Sequence, residues 1–128
     1  MGIESGLPPV LVIDDDRFVH KILTECLKDR LKIVAIVEDL STALAALPDL
    51  DTGTGIISDL KLTTNGLEGM QILEEAIRRG FRKVILYTST PGDVPRAWLQ
   101  KHPQVQLVAK GSLSPIVTAV DRWTQDNG

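Results

Sequence analysis

The stretch VLVIDDD, residues 10–16, is a short apolar run that ends in three acids. Three later runs end in a comparable way: IISD reaches Asp59, VILYTS reaches Thr88 and LVAK reaches Lys110. If these runs are parallel strands of one sheet, their carboxyl ends share one edge, and open α/β sheets bind their ligands at that edge. An acid pair, a lone acid, a hydroxyl and a lysine would then meet in one crevice.

Five apolar segments rich in Val and Ile alternate with segments of helical spacing, which predicts a parallel sheet covered on both faces. The predicted strands are Val10–Ile13, Lys32–Val37, Gly55–Ser58, Lys83–Tyr87 and Val105–Ala109. The second strand carries a lysine, which fits an edge position. Right-handed crossovers favour a flavodoxin-like (βα)5 three-layer sandwich with strand order 2-1-3-4-5. Residues 1–8 are interpreted as a short lead-in and residues 9–128 as a single domain.

Composition narrows the class of protein. The chain has 128 residues and a net charge of -3, and its Lys and Arg residues are scattered, so no nucleic-acid footprint is visible. No apolar stretch approaches the length of a membrane span. The single cysteine, Cys26, rules out an internal disulfide and fits a reducing cytosol, so we expect a cytoplasmic protein. Nothing in the sequence encodes an output domain.

Local signals predict several helix boundaries and side-chain environments. Asp16 is expected to cap the first helix, Pro48 to stop the second and Gly80 to end the third. Cys26, on the apolar face of the first helix, is interpreted as a small core residue. His20, on the same helix, is interpreted as a solvated side chain.

The four strand-end motifs suggest a metal and phosphoryl chemistry. Asp14 and Asp15 repel each other unless a divalent cation offsets the repulsion, and Mg²⁺ (or Mn²⁺) prefers such oxygen ligands. The same acids could instead serve only the helix that follows. Asp59 could be a metal ligand, a nucleophile or an ordinary turn residue. Thr88 and Lys110 suit a phosphoryl group, although Thr88 could also be a satisfied strand-end hydroxyl and Lys110 a solvated loop cation.

Taken together, VLVIDDD, IISDL, VILYTS and LVAKG resemble the receiver domain of bacterial two-component response regulators, over about residues 9–126. The resemblance implies that Asp59 accepts a phosphoryl group from a phosphohistidine of a partner kinase. Asp14, Asp15, Asp59 and the backbone carbonyl of Lys61 would hold Mg²⁺. The phosphoryl group would be contacted by the groups that the family uses, which here are Thr88, Lys110 and the backbone N–H of Ser89.

The resemblance also implies a signalling switch rather than an enzyme. The expected partners are a histidine kinase or phosphotransfer protein and a downstream effector or fused output domain, with no direct binding to nucleic acid or membrane. The residues that choose the kinase are expected on the first helix, around Phe18–Leu23. The surface that responds to phosphorylation is expected on the fourth and fifth helices and the fifth strand.

The chain departs from the family at three points. The loop after Asp59 lacks the usual proline, and Gly69 lies ten residues after Asp59 instead of eight, which indicates a two-residue insertion. Gly111 replaces the proline that usually follows the lysine through a cis bond, so a cis or a trans bond is open. Leu107 stands where the family often has an aromatic residue.

Two other functions compete with a phosphorylatable receiver. A pseudo-receiver would keep the fold as a binding module without carrying phosphate, and the altered loop favours it mildly. A small phosphatase of the haloacid-dehalogenase type could use the D-x-D within Asp14–Asp16, but Phe18 replaces its usual Thr or Val and Asp59 would go unused. Lys61 could shield an acyl phosphate from water, or it could be a solvated loop lysine.

Overall fold

The computed structural model describes residues 6–64 and 66–125, in which five strands alternate with five helices. The strands are β1 (Pro9–Ile13), β2 (Lys32–Val37), β3 (Gly55–Ser58), β4 (Val84–Thr88) and β5 (Val105–Ala109). The helices are α1 (Arg17–Leu27), α2 (Leu40–Ala46), α3 (Glu68–Arg78), α4 (Arg96–Lys101) and α5 (Ser114–Gln125). Most of the predicted lead-in and the last three residues of the predicted domain lie outside the described residues.

The strands form one parallel sheet in the order β2-β1-β3-β4-β5, which confirms the predicted flavodoxin-like topology. β2 lies at an edge, as its lysine indicated. Three strand boundaries, in β1 and β4, move by one residue. β1 begins at Pro9, and β4 runs from Val84 to Thr88, so Lys83 lies before the strand and the predicted hydroxyl residue belongs to its last position.

Alternating residues of the sheet face two separate hydrophobic clusters. Val10 and Val12 of β1 pack on the side of α1 and α5, in a cluster that includes Trp123. Leu11 and Ile13 pack on the side of α2, α3 and α4, in a cluster that includes Trp98. Central strands buried on both faces explain why the sequence shows continuous apolar runs rather than polar alternation.

The predicted helix boundaries have visible causes in the backbone. The Asp16 carboxylate accepts a hydrogen bond from the Phe18 N–H at 2.9 Å and so caps α1. α2 gives way to a 3-10 turn that contains Pro48. Gly80 follows Arg79, the C-cap residue of α3, with φ +101°, a conformation that side chains with a Cβ atom disfavour.

Cys26 packs partly buried against the cluster beside α1 and α5, and burial raises the pKa of its thiol. Among the helices that the structure describes, none is both long enough and apolar enough to cross a membrane.

Candidate functional site

The sheet register places the first and third strand ends side by side. Ile13 of β1 lies opposite Ser58 of β3, so the residues that follow, Asp14 and Asp59, leave the sheet together. The Asp59 N–H donates to the Ile13 carbonyl at 2.8 Å, which extends the pairing by one residue beyond the strands. The rigid centre of the sheet therefore fixes the backbone of both acids.

Asp14, Asp15 and Asp59 form an acidic cluster in which one carboxylate oxygen from each lies within 4.8 Å of the others. Asp14 is buried, Asp59 is half-buried and Asp15 is exposed. Three converging carboxylates with one side open to water match the preference of Mg²⁺ for hard oxygen ligands and retained water molecules. The donor set therefore fits the predicted divalent cation.

Lys110 provides the positive charge of this cluster. Its ammonium lies 2.8 Å from the Asp14 carboxylate and 3.3 Å from that of Asp59, and only 17% of its side chain is exposed. Burial alone would lower the pKa of Lys110, but the hydrogen bond and charge of Asp14, together with Asp59, outweigh it and raise the pKa. The lysine is therefore a fixed cation.

The charge balance leaves Asp59 in a distinct state. Burial and the neighbouring Asp14 raise the pKa of Asp59, while Lys110 and the Leu60 N–H oppose that rise. A second positive charge at the cluster would lower this pKa and favour the carboxylate form, which is the nucleophilic form. With three acidic residues and one ammonium, the cluster lacks positive charge unless a further cation binds.

Thr88 and Ser89 occupy the end of β4. The Thr88 hydroxyl is buried and accepts a hydrogen bond from the Thr90 N–H at 3.0 Å. The Thr88 carbonyl accepts from the Lys110 N–H at 2.9 Å, which ties the two strand ends together. Ser89 follows and is exposed. The phosphoryl contacts of both residues, like the metal role of the Lys61 carbonyl, stay predictions.

Lys61 does not lie free in solvent. Its ammonium forms an ion pair with the Asp93 carboxylate at 2.5 Å, with 32% and 50% of the two side chains exposed. Asp93 ends the 3-10 turn Pro91–Asp93 between β4 and α4, and the hydrogen bond from Lys61 lowers its pKa. Sequence analysis missed Asp93, because no motif marks an acid in that turn.

Gly69 explains how the longer loop still closes beside Asp59. A Cβ atom at position 69 would lie 2.1 Å from the Asp59 carbonyl oxygen, so only glycine fits against this backbone. The Gly69 N–H donates to the Leu60 carbonyl at 2.9 Å. The first turn of α3 therefore packs directly against the backbone that follows β3.

Glu68 anchors the loop before α3 through two hydrogen bonds, and the sequence analysis also missed it. Its carboxylate accepts from the Leu62 N–H at 3.0 Å and from the Thr63 hydroxyl at 2.5 Å. Partial burial would raise the pKa of Glu68, but these hydrogen bonds outweigh it and lower the pKa. An acid in the first turn of a helix commonly reaches backward in this way, which is the signal that could have identified it.

The loop after Lys110 resolves the open question about its peptide bond. No cis peptide bond occurs in the described residues, so Lys110–Gly111 is trans. Gly111 has φ +128°, which a proline ring cannot adopt. Glycine is therefore the residue that this form of the loop requires.

Two side chains near the site differ from what the sequence suggested. His20 is partly buried, and its Nε2 contacts the Asp14 carbonyl, so the prediction of a solvated side chain was wrong. His20 lies near the start of α1, close to the strand end that carries Asp14. Tyr87 of β4 places its ring 5.6 Å below the Lys110 ammonium, so an aromatic ring reaches the lysine although position 107 is Leu.

The chain matches no family model and no curated protein, whereas 52 solved chains match its structure. A receiver domain from Clostridium thermocellum superposes with a TM-score of 0.76 at 21% identity, covering 94% of this chain and 97% of the other. A response regulator receiver protein from Sinorhizobium medicae gives 0.75 at 14% identity, covering 98% and 100%. An adenylate cyclase from Rhodopirellula baltica gives 0.74 at 19% identity, covering 93% and 88%. The chain has the receiver-domain fold.

Proposed function

We propose that this chain is a phosphorylatable receiver in a two-component phosphorelay, with Asp59 as the phosphoacceptor. The observation that carries the proposal is the meeting of three carboxylates and one ammonium at the carboxyl edge of a receiver fold. That edge is where this class of sheet binds ligands. A binding module without phosphate chemistry would have no need of a largely buried lysine held between two of these carboxylates.

Each side chain has a defined part in the proposed reaction. A carboxylate oxygen of Asp59 attacks phosphorus, the bond from phosphorus to the histidine nitrogen breaks, and the electron pair leaves with the imidazole. Lys110 would neutralise one phosphoryl oxygen, and the Thr88 hydroxyl would donate to another. Mg²⁺ bound at the acidic cluster would supply charge neutralisation for the transferred group. Positioning and charge carry such a transfer.

The surface beside the site supports a protein phosphodonor. A cavity of about 320 Å³ lies between α1 and the loop after β5, and Phe18 and Leu113 on its rim are 69% and 45% exposed. The Lys110 side chain forms part of its wall. An apolar rim next to a phosphoacceptor suits a partner helix that presents a phosphohistidine.

Intact mass after incubation with acetyl phosphate and Mg²⁺ tests the proposed function. We expect one phosphoryl adduct on the wild type, no adduct on Asp59→Asn, and loss of the adduct when EDTA is added. Asp126 and the other acids remain in the variant, so the absence of an adduct would identify Asp59 as the acceptor. No adduct on the wild type, with no binding of beryllofluoride, would replace the proposal by a pseudo-receiver.

The docking surface has its own test. Phe18→Ala should slow phosphotransfer from any autophosphorylated histidine kinase that reacts with the wild type, because the partner loses an apolar contact. Phosphorylation by acetyl phosphate, which needs no protein surface, should stay unchanged. Equal slowing with both donors would place Phe18 in the chemistry rather than in docking.

A further inference from the structure

A second cavity, the basal cavity, lies at the amino edge of the sheet. Its volume is about 850 Å³, which is within the size range of small-molecule sites. Residues that precede β3, β4 and β5 form much of its wall, among them Thr52, Lys83 and Gln104. Because the strands are parallel, this edge lies at the opposite end of the sheet from Asp59 and Lys110, which follow β3 and β5.

The floor of the basal cavity is formed by an aromatic ring that packs tightly against the start of β3. A Cβ atom at position 55 would lie 2.5 Å from the Trp123 ring, so Gly55 leaves the room that the indole occupies. Trp123 is buried in the cluster beside α1 and α5, and it also lines the cavity. Close packing therefore fixes the position of the floor.

Three cationic side chains line the basal cavity, and none of its described lining residues is acidic. Arg82 and Lys83 lead into β4, and Arg122 lies in the last turn of α5. Within residues 6–64 and 66–125, none of the three forms an ion pair with a carboxylate, whereas Lys61 and Lys110 both do. The basal cavity thus concentrates positive charge in a chain whose net charge is -3.

One of these cations is oriented by a chain of hydrogen bonds. The Gln106 amide nitrogen donates to the Ala119 carbonyl at 3.0 Å, and the Gln106 amide oxygen accepts from the Arg122 guanidinium at 3.3 Å. Gln106 belongs to β5, so the chain connects the sheet to the cation. A guanidinium carries several N–H donors, so this bond leaves others for an oxyanion. A cation that is already oriented loses less freedom when it binds an anion.

Grouped arginine and lysine side chains suit phosphate groups in particular. A guanidinium binds two phosphate oxygens at once, and an ammonium acts as a point charge. A single phosphate monoester carries a charge of about −1.5 to −2 at pH 7. Three cations therefore match the charge of two joined phosphates better than that of one.

We propose that the basal cavity binds an anion that contains a diphosphate group, held by Arg82, Lys83 and Arg122. Inorganic pyrophosphate and nucleoside diphosphates both present this group. The site uses no residue of the acidic cluster and does not depend on phosphorylation of Asp59, so it goes beyond the proposed function. The failure of either proposal leaves the other intact.

Isothermal titration calorimetry with sodium pyrophosphate, ADP and inorganic phosphate tests the site on the whole chain. EDTA in the buffer removes divalent cations, so the anions cannot bind the acidic cluster through a metal. We expect pyrophosphate and ADP to bind, and inorganic phosphate to bind at least about tenfold more weakly. Equal affinities for pyrophosphate and ADP would assign recognition to the diphosphate group alone, and tighter binding of ADP would add the nucleoside; both results support the proposal.

Charge-removing variants distinguish this site from general attraction between an anion and a positive surface. Arg82→Gln and Arg122→Gln should each weaken pyrophosphate binding by about tenfold. Gln106→Leu keeps the net charge but no longer orients Arg122, so it should weaken binding by about threefold. Lys32→Gln is the matched control and should leave the affinity unchanged, because Lys32 is exposed at the start of β2, at the same edge of the sheet but outside the cavity.

Amide proton–nitrogen NMR spectra locate the bound anion, and circular dichroism would verify that each variant is folded. The shift changes should centre on Lys83, Gln104 and Arg122. Three results would overturn the proposal: no binding of pyrophosphate or ADP at millimolar concentration, equal weakening by Arg122→Gln and Lys32→Gln, or shift changes centred on Lys110. A single-stranded oligonucleotide that binds where neither diphosphate does would also overturn it and assign the cavity to nucleic acid.

Discussion

Two lysines lie near Asp59, and their surroundings are opposite. Lys110 directly follows β5, is largely buried and contacts two carboxylates of the acidic cluster. Lys61 lies on the loop after β3, is twice as exposed and pairs with Asp93, an acid outside the cluster. A lysine is thus a fixed part of the acidic cluster at position 110. At position 61 it forms only an exposed ion pair beside the cluster.

The difference shows that the origin of a side chain decides its role. A residue that follows a strand inherits the position of the sheet, so Lys110 needs little ordering when it meets a carboxylate. A residue within a long loop depends on that loop, and an exposed ion pair contributes only about 0–1 kcal/mol. Lys61 can therefore exchange its ion-pair partner with little loss of stability.

The largest expected effect comes from Gly69→Ala, because the added methyl group would clash with the backbone of Asp59 and Leu60. The added methyl group meets backbone atoms that cannot move aside, so we expect the unfolding free energy to fall by about 3 kcal/mol. Urea denaturation measures the change. Gly92→Ala, where a Cβ atom meets nothing within 4 Å, should alter stability by less than about 0.5 kcal/mol. Similar losses for the two variants would contradict the close contact.

Lys110→Ala is expected to have the next largest effect. It leaves Asp14 and Asp59 without their cation, and after allowance for partial exposure we expect a loss of about 2 kcal/mol without metal. Because Mg²⁺ would supply the missing charge, it should raise the melting temperature of this variant more than that of the wild type. Lys61→Ala serves as the comparison and should show neither effect. A variant that gains no more from Mg²⁺ than the wild type would contradict the charge balance.

Glu68→Gln should have a smaller effect, of about 1 kcal/mol, because a neutral amide accepts the same hydrogen bonds less strongly. The pKa of Glu68 is lowered in the folded protein, so its stabilisation is present above the unfolded pKa and is lost as pH falls through the folded pKa. The wild-type advantage over Glu68→Gln should therefore shrink as the solution is acidified below about pH 4.5. Denaturation curves over pH 3–7 measure it, and an advantage that persists at pH 3 would contradict the assignment.

The smallest effect on stability is expected at the exposed ion pair between Lys61 and Asp93. Lys61→Ala and Asp93→Ala should each change the unfolding free energy by less than about 0.5 kcal/mol. Their effects on the aspartyl phosphate should differ in sign. If Lys61 shields the phosphoryl group, the aspartyl phosphate should hydrolyse faster in Lys61→Ala. In Asp93→Ala the lysine loses its partner, so the aspartyl phosphate should hydrolyse more slowly. Loss of labelled phosphate over time measures both rates, and equal rates would refute the shielding role.

The contrast between residues that follow strands and residues within loops also explains what the sequence could predict. Strand ends were predictable because parallel strands bring their carboxyl ends to one edge, and Asp14, Asp59, Thr88 and Lys110 each follow an apolar run. Local capping rules identified Asp16 in the same way. These signals need only neighbours along the chain.

The contacts of the loops could not be predicted by such rules. Asp93 meets Lys61 only because two loops of independent length converge above the sheet, and no local pattern encodes that distance. His20 contacts the Asp14 carbonyl at the end of the preceding strand, and helical periodicity does not specify such a contact. Side-chain partners across loops are fixed by tertiary packing.

The two hydrophobic clusters carry one tryptophan each, which has a spectroscopic consequence. The Trp98 indole donates to the Glu74 carboxylate at 2.6 Å and its ring lies near that of His102, whereas Trp123 packs among aliphatic side chains behind the sheet. Single replacements by phenylalanine would give emission from one layer at a time. Intrinsic fluorescence could then follow the two halves of the sandwich separately during refolding.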